Sequence, residues 1–174
     1  MYQWRTVAGW YSFVADSTWA VAGTTLGNLV NVLNMAWPRA DYRADLSRRR
    51  NRHLYGGGVA LLDRFAFTMG NVISNAGTTG RQPLEEKPGL IELHEDLHVW
   101  QNRWFGPVYQ AMYAVWAVGG LLVALAVWVF RKDRRPLAGL LRTAVYYDNP
   151  FEYWAYKNQG HWEDNGADST LKWG

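Results

Sequence analysis

From Pro107 to Phe130 the chain carries no charge and is strongly apolar, with Trp116 and Trp128 inside the run and Arg131-Lys132-Asp133-Arg134-Arg135 directly after it. As a helix rising 1.5 Å per residue, this stretch reaches about 36 Å, enough to cross a hydrocarbon layer of about 30 Å. The other option is burial against the domain or against partner subunits. Gly119-Gly120 lies midway and is a plausible bend, so a re-entrant hairpin turning there is expected to bring the basic string back to the side it left. Charge points the same way. No other long apolar run separates the Arg39–Arg52 cluster from the Arg131–Arg135 cluster, and a single span would place the two on opposite faces of a membrane. The alternative is a true single-pass protein.

Just before this run stands His94-Glu95-Asp96-Leu97-His98, which fits H-E-x-x-H. On a helix the two histidines are one turn apart on one face, so their imidazoles can converge on one tetrahedral Zn²⁺. Glu95 projects from nearly the same face and can take a proton from water activated there. Pro88-Gly89 signals the start of that helix, Leu97, Val99 and Trp100 give it an apolar side, and Gly106-Pro107 stops it. The plainer reading is an amphipathic helix whose histidines bond to backbone or solvent. Asp96 places a charge between the two histidines, where zinc peptidase helices usually carry uncharged residues.

The rest of the chain narrows the classes. Eleven Trp and ten Tyr suit a membrane interface or a broad partner surface. With no cysteine, neither a disulfide framework nor a cysteine zinc knuckle is possible. The start, MYQWRTVAGWYSF, lacks the features of a signal peptide. Residues 1–37 hold only Arg5 and Asp16 as charges. Ser17 to Trp37 has none, yet its threonines and asparagines match lipid poorly, so a buried or interfacial helix is expected, with a polar transmembrane helix as the alternative. The arginines from Arg39 to Arg52 form a solvated face or attract anionic headgroups. No recognised nucleic-acid module accompanies them, and nucleic acid is not an expected partner. Residues 59–67 and 68–74 are rich in β-branched and aromatic residues and predict two short strands, or one bent strand, ahead of the metal helix. Residues 76–89 read as a polar loop, and those from Gly160 as a polar tail.

A catalytic zinc needs a third protein ligand and keeps one position for water. Glu152 is the candidate: Asn149 is a good N-cap, Pro150 a good first helical residue, and Glu152 falls in the first turn. The same pattern is also a capping box in its own right. His161 is the other possible donor.

Together, HEDLHVWQ, the Gly106-Pro107 break and NPFEYWAY resemble the gluzincin-type zinc metallopeptidases, and in particular small membrane-associated predicted members. In those, HExxHxxQ is followed by a GP-led apolar helix and NPxExxA. The resemblance covers about residues 70–160. It implies His94 and His98 as zinc ligands, Glu95 as general base and Glu152 as third ligand, with Tyr146, Tyr147 or His161 steadying the oxyanion. An edge strand beside the metal would hold an extended substrate by main-chain pairing.

The expected fold is α+β over a single domain, residues 1–174. It comprises a zincin-like metal helix, a short sheet or hairpin before it, and a membrane helix or re-entrant hairpin at 107–130 between the two ligand motifs. The expected function is zinc-dependent peptide-bond hydrolysis at a bacterial inner membrane, with the metal site at the cytoplasmic face. Expected partners are membrane lipid and a protein or peptide substrate. The competing reading is a catalytically silent accessory subunit among partner membrane subunits, which keeps the zincin-like fold; the Trp and Tyr abundance and Asp96 favour it.

Overall fold

Thr6 opens the first helix, its Oγ1 accepting the Gly9 N–H at 3.0 Å, and α1 runs Val7–Ser17. In the computed structural model, residues 1–38, 40–59, 66–77, 90–131 and 136–159 are described. The chain is mostly helical with one small sheet, α+β in class, and divides into two units, residues 1–109 and 110–174.

In the first unit α1 is followed by α2 (Val21–Ala36), α3 (Ala44–Arg49), β1 (His53–Leu54), β2 (Phe67–Met69) and β3 (Val72–Ser74). The strand order is β1-β3-β2, with β1 parallel and β2 antiparallel to β3. Two short strands precede the H-E-x-x-H segment, but both fall within residues 67–74, so the stretch expected as one strand at 68–74 turns at Gly70-Asn71 and pairs with itself. Gly70 has φ +58°, and a Cβ there would lie 2.1 Å from the Gly23 carbonyl oxygen, so only glycine makes this turn against α2. Most of the expected strand at 59–67 lies outside the described residues, as do most of the loop at 76–89, the tail from Gly160, and Lys132–Arg135.

The apolar core here is small: Leu54, Ile73, Ala76 and Val99, with Leu46 and Ala66 against them. A buried polar network supplements it. Arg103 grips Asp16 with two bonds, Nε to Oδ1 at 2.9 Å and Nη2 to Oδ2 at 2.8 Å. Tyr2 and Asn71 also donate to Asp16, and Arg103 reaches the Asn51 carbonyl. Burial first, then the Asp16 charge, raises the Tyr2 pKa well above the usual tyrosine range.

The chain then makes a π-helical turn, Leu90–Glu95, continued by α4 (Asp96–Phe105). Gly106, at φ +54°, ends α4, and Pro107 starts α5 (Pro107–Phe130) as expected. Among the described residues, α5 is the one helix long and apolar enough to cross a membrane.

The second unit corrects one expectation. Helix α5 runs unbroken through Gly119-Gly120, so no re-entrant turn forms there. Gly120 serves close packing instead: a Cβ on it would lie 2.4 Å from the Ala144 carbonyl oxygen. That carbonyl belongs to the returning chain, α6 (Leu137–Leu141), a π-helical turn (Arg142–Tyr147) and α7 (Pro150–Gln159). Leu140 packs on Ala124, Trp116 Nε1 donates to the Ala144 carbonyl at 3.0 Å, and Tyr113 stacks on Phe151. The chain therefore comes back along α5. The returning path breaks at Asp148-Asn149, where Asn149 caps the start of α7.

Candidate metal centre

A π-helical turn places one more residue per turn than an α-helix and is frequent at functional sites. His94 and Glu95 end that turn and His98 sits in α4, so the motif straddles the junction rather than lying on a uniform α-helix. All three side chains are buried. The His94 and His98 rings meet edge to face, Nε2 to Nε2 at 3.2 Å. Two nitrogens bound to one tetrahedral zinc at about 2 Å stand about 3.3 Å apart, so the spacing fits two ligands on one ion.

Two neighbours act on His98. The Gln101 Oε1 lies 2.8 Å from His98 Nδ1, and the Tyr109 hydroxyl lies 3.4 Å from the same nitrogen. An amide oxygen only accepts, so this contact puts the ring proton on Nδ1 and turns an unprotonated Nε2 toward His94. That lone pair takes either a metal ion or a His94 N–H. Gln101 is fully buried, which holds the tautomer in place.

Glu95 is held by the sheet. Thr68 of β2 donates its hydroxyl to Glu95 Oε2 at 2.6 Å. Because β2 is an edge of the described sheet, the carboxylate sits beside an edge strand among the described residues.

Asp96, the departure from the usual motif, has a structural role. Its carboxylate accepts from Arg52 Nε, and the half-exposed Arg50 lies 3.7 Å away. At about 100° per residue, Asp96 points roughly opposite to the two histidines, so its charge is spent on tethering the metal helix to the segment before β1.

Glu152 lies in the second unit, buried in the first turn of α7, and accepts the Tyr113 hydroxyl at 2.5 Å. Asn149 caps that helix through Oδ1 to the Phe151 N–H at 3.0 Å, as expected, while its own N–H goes to the Tyr146 carbonyl. The reciprocal bond of a capping box is thus not what that N–H makes. Tyr146 and Tyr147 cluster with Tyr156, and His161 lies outside the described residues.

Gln101, Thr68 and Tyr109 carried no role in the sequence reading. Gln101 stands three residues after His98, a spacing that signals contact; Thr68 and Tyr109 give no such local signal. A cavity of about 500 Å³ in the first unit lies elsewhere, among Tyr2, Asp16, Thr24, His53 and Asn71. His53 there is pushed down to about 4, first by burial and then by the N-terminal ammonium. Comparison with known proteins finds no family model, curated protein or solved structure that matches this chain.

Proposed function

We propose that the chain is a membrane-associated, zinc-dependent metallopeptidase-like protein of the HExxH type, with His94, His98 and Glu152 as ligands and Glu95 as general base. The observation that carries this reading is the facing pair of imidazole nitrogens, with His98 Nδ1 engaged by Gln101. Two histidines and a glutamate, all buried, make a donor set that catalytic zinc uses. Within their own units, Tyr109 stands beside His98 and Tyr113 bonds Glu152. The membrane part of the proposal rests on the length and apolarity of α5.

Zinc held by these residues would polarise a scissile carbonyl and lower the pKa of a coordinated water toward ~7. Glu95 would accept a proton from the attacking water, with Thr68 holding its Oε2, and pass it to the leaving amine. An extended peptide segment would pair along β2, whose Thr68 bonds that carboxylate. The buried Glu95 and histidines work in a low dielectric, where charge developing on the attacked carbonyl is stabilised more strongly than in water.

The test is metal content of the purified full chain, by elemental analysis. Wild type should hold about one zinc per chain, Glu152→Ala clearly less, and His98→Ala none. Glu95→Gln should keep the metal and lose peptide hydrolysis by about 10²–10⁴-fold. Folded wild type without zinc refutes the proposal. Zinc-loaded wild type that hydrolyses nothing the Glu95→Gln protein does not would favour the accessory subunit, in which the metal is structural.

A further inference from the structure

Helices α1 and α2 carry their polarity inside out. α1 buries Gly9, Ser12, Ala15 and Asp16. α2 buries Gly23, Thr24, Gly27 and Asn34. The outer side of α2 presents Leu29, Val32, Leu33 and Met35, from 54% to 73% exposed. A helix on the surface of a water-soluble domain does the reverse.

Buried Asn34 and half-buried Asn31 are bonded within the unit. Asn34 Oδ1 accepts from the Val59 N–H at 2.7 Å and from the Ser74 hydroxyl at 3.0 Å, and Asn31 Oδ1 accepts from Tyr55 at 2.6 Å. Two of the exposed hydroxyls, on Thr18 and Thr25, bond to carbonyls one turn back in their own chain, Val14 and Val21. Such bonds lower the cost of placing those two groups away from water. The charge on Asp16 is answered by Arg103. Gly23 and Gly27 bring the α2 backbone against the hairpin, since a Cβ on Gly27 would lie 2.5 Å from the Met69 carbonyl oxygen.

What covers this outer face is argued by its borders. No charge occurs from Ser17 to Trp37. Trp19 and Trp37 flank α2 and are about half exposed, and its 16 residues rise about 24 Å, less than a full hydrocarbon layer of about 30 Å, so the two rings bracket an embedded helix rather than a complete span. Beyond Trp37 come the exposed arginines 43, 48, 49 and 50, suited to anionic headgroups. A protein partner would not require tryptophan at both ends and arginine beyond one.

We infer that the α1–α2 helix pair is embedded in the bilayer with the outer face of α2 against lipid acyl chains, so that the chain has a second lipid-facing surface besides α5. This shares only the membrane location with the proposed function and needs no metal.

The chain has no cysteine, so single-cysteine variants are clean probes. Leu29→Cys, Val32→Cys and Met35→Cys, with Arg48→Cys as the aqueous reference, are spin-labelled in the full chain. The protein is reconstituted in phosphatidylethanolamine–phosphatidylglycerol vesicles. Collision rates with oxygen and with a neutral nickel chelate are then measured by electron paramagnetic resonance. The expected result is oxygen exceeding nickel several-fold at 29 and 32 and the reverse ratio at 48. Nickel-dominated collisions at 29 and 32 would overturn the inference, because the face would then be in water. Low rates with both reagents would overturn it too, because a second copy or another protein would then cover the face. Three labelled positions guard against one variant that misfolds. Zinc-free protein with the oxygen-rich pattern would leave this inference standing while the metallopeptidase reading falls.

Discussion

Removing Arg103 should damage this protein more than removing any exposed arginine, and the structure sets the size of the effect. Its guanidinium and the Asp16 carboxylate are 0% and 1% exposed, and it makes two charge-assisted bonds to that carboxylate plus one to the Asn51 carbonyl at 2.5 Å. Charge-assisted bonds contribute about 1.5–3 kcal/mol each, and stripping one partner from a buried pair costs about 3–5 kcal/mol because the other charge is left behind. Here Tyr2 and Asn71 still donate to Asp16 in the variant, which softens the penalty. Arg103→Leu should therefore cost about 3 kcal/mol, the low end of that range. Adding Asp16→Asn to Arg103→Leu should recover about 1–2 kcal/mol, since the orphaned charge is gone. The assay is denaturant unfolding in detergent, followed by the fluorescence of the eleven tryptophans, for the two single variants and the double. A cost below about 1 kcal/mol for Arg103→Leu would refute the reasoning. So would strict additivity of the two changes, because both demand that the buried pair does not act as a unit.

Two further outcomes follow from the same contacts. Gln101→Leu keeps the volume but removes the acceptor at His98 Nδ1, and should weaken zinc affinity by about 10–100-fold in a competition titration against a chelator, while Gln101→Glu, which restores an acceptor, should recover most of it. His53 titrates at about 4 in the folded chain against 6.5 unfolded, so the unfolded state binds more protons between those values. Stability is full above pH 6.5 and falls as pH drops toward 4, by about 1–2 kcal/mol once its partial exposure is allowed for; His53→Gln should flatten that part of the pH–stability curve.

The meeting of His94 and His98 was legible because its signal is local, two histidines four residues apart in a helical segment. The same 100° step could have placed Asp96 on the opposite face, but nothing local names Arg52, which lies 44 residues earlier and pairs with it. Thr68 was out of reach for the same reason, since contact between Glu95 and a strand 27 residues upstream is a fact of tertiary packing. The cap at Asn149 was legible because a cap is a local arrangement, and α7 begins where Asn149-Pro150 says it should. The bend expected at Gly119-Gly120 failed for the opposite reason. A glycine pair in an apolar run signals a turn or a close contact equally well, and only the returning chain, with Ala144 over Gly120, decides between them.

The same limit governs the N-terminal helices, and it bears on how a small chain holds buried polar groups. Averaged along the sequence, the threonines and asparagines of 17–37 make the segment look unfit for lipid. Averaging erases direction. Once α2 is folded, Thr24 and Asn34 turn inward and Leu29, Val32 and Leu33 turn outward, so one helix offers a polar face to the sheet and an apolar face to its surroundings. The hairpin then gains partners it could not find in a lipid layer: Ser74 and the Val59 N–H both bond to Asn34. A sheet of two- and three-residue strands buries little apolar area and could not stand alone in water. Backed by α2 and tied to α4 through the Asp16–Arg103 pair, the same sheet becomes the wall that holds Thr68 against Glu95. The polarity of α2 is thus tied to the surroundings of Glu95: replacing Asn34 by an apolar residue would strand the Val59 N–H, take away one of the two partners of the Ser74 hydroxyl, and loosen the sheet that holds Thr68 against Glu95.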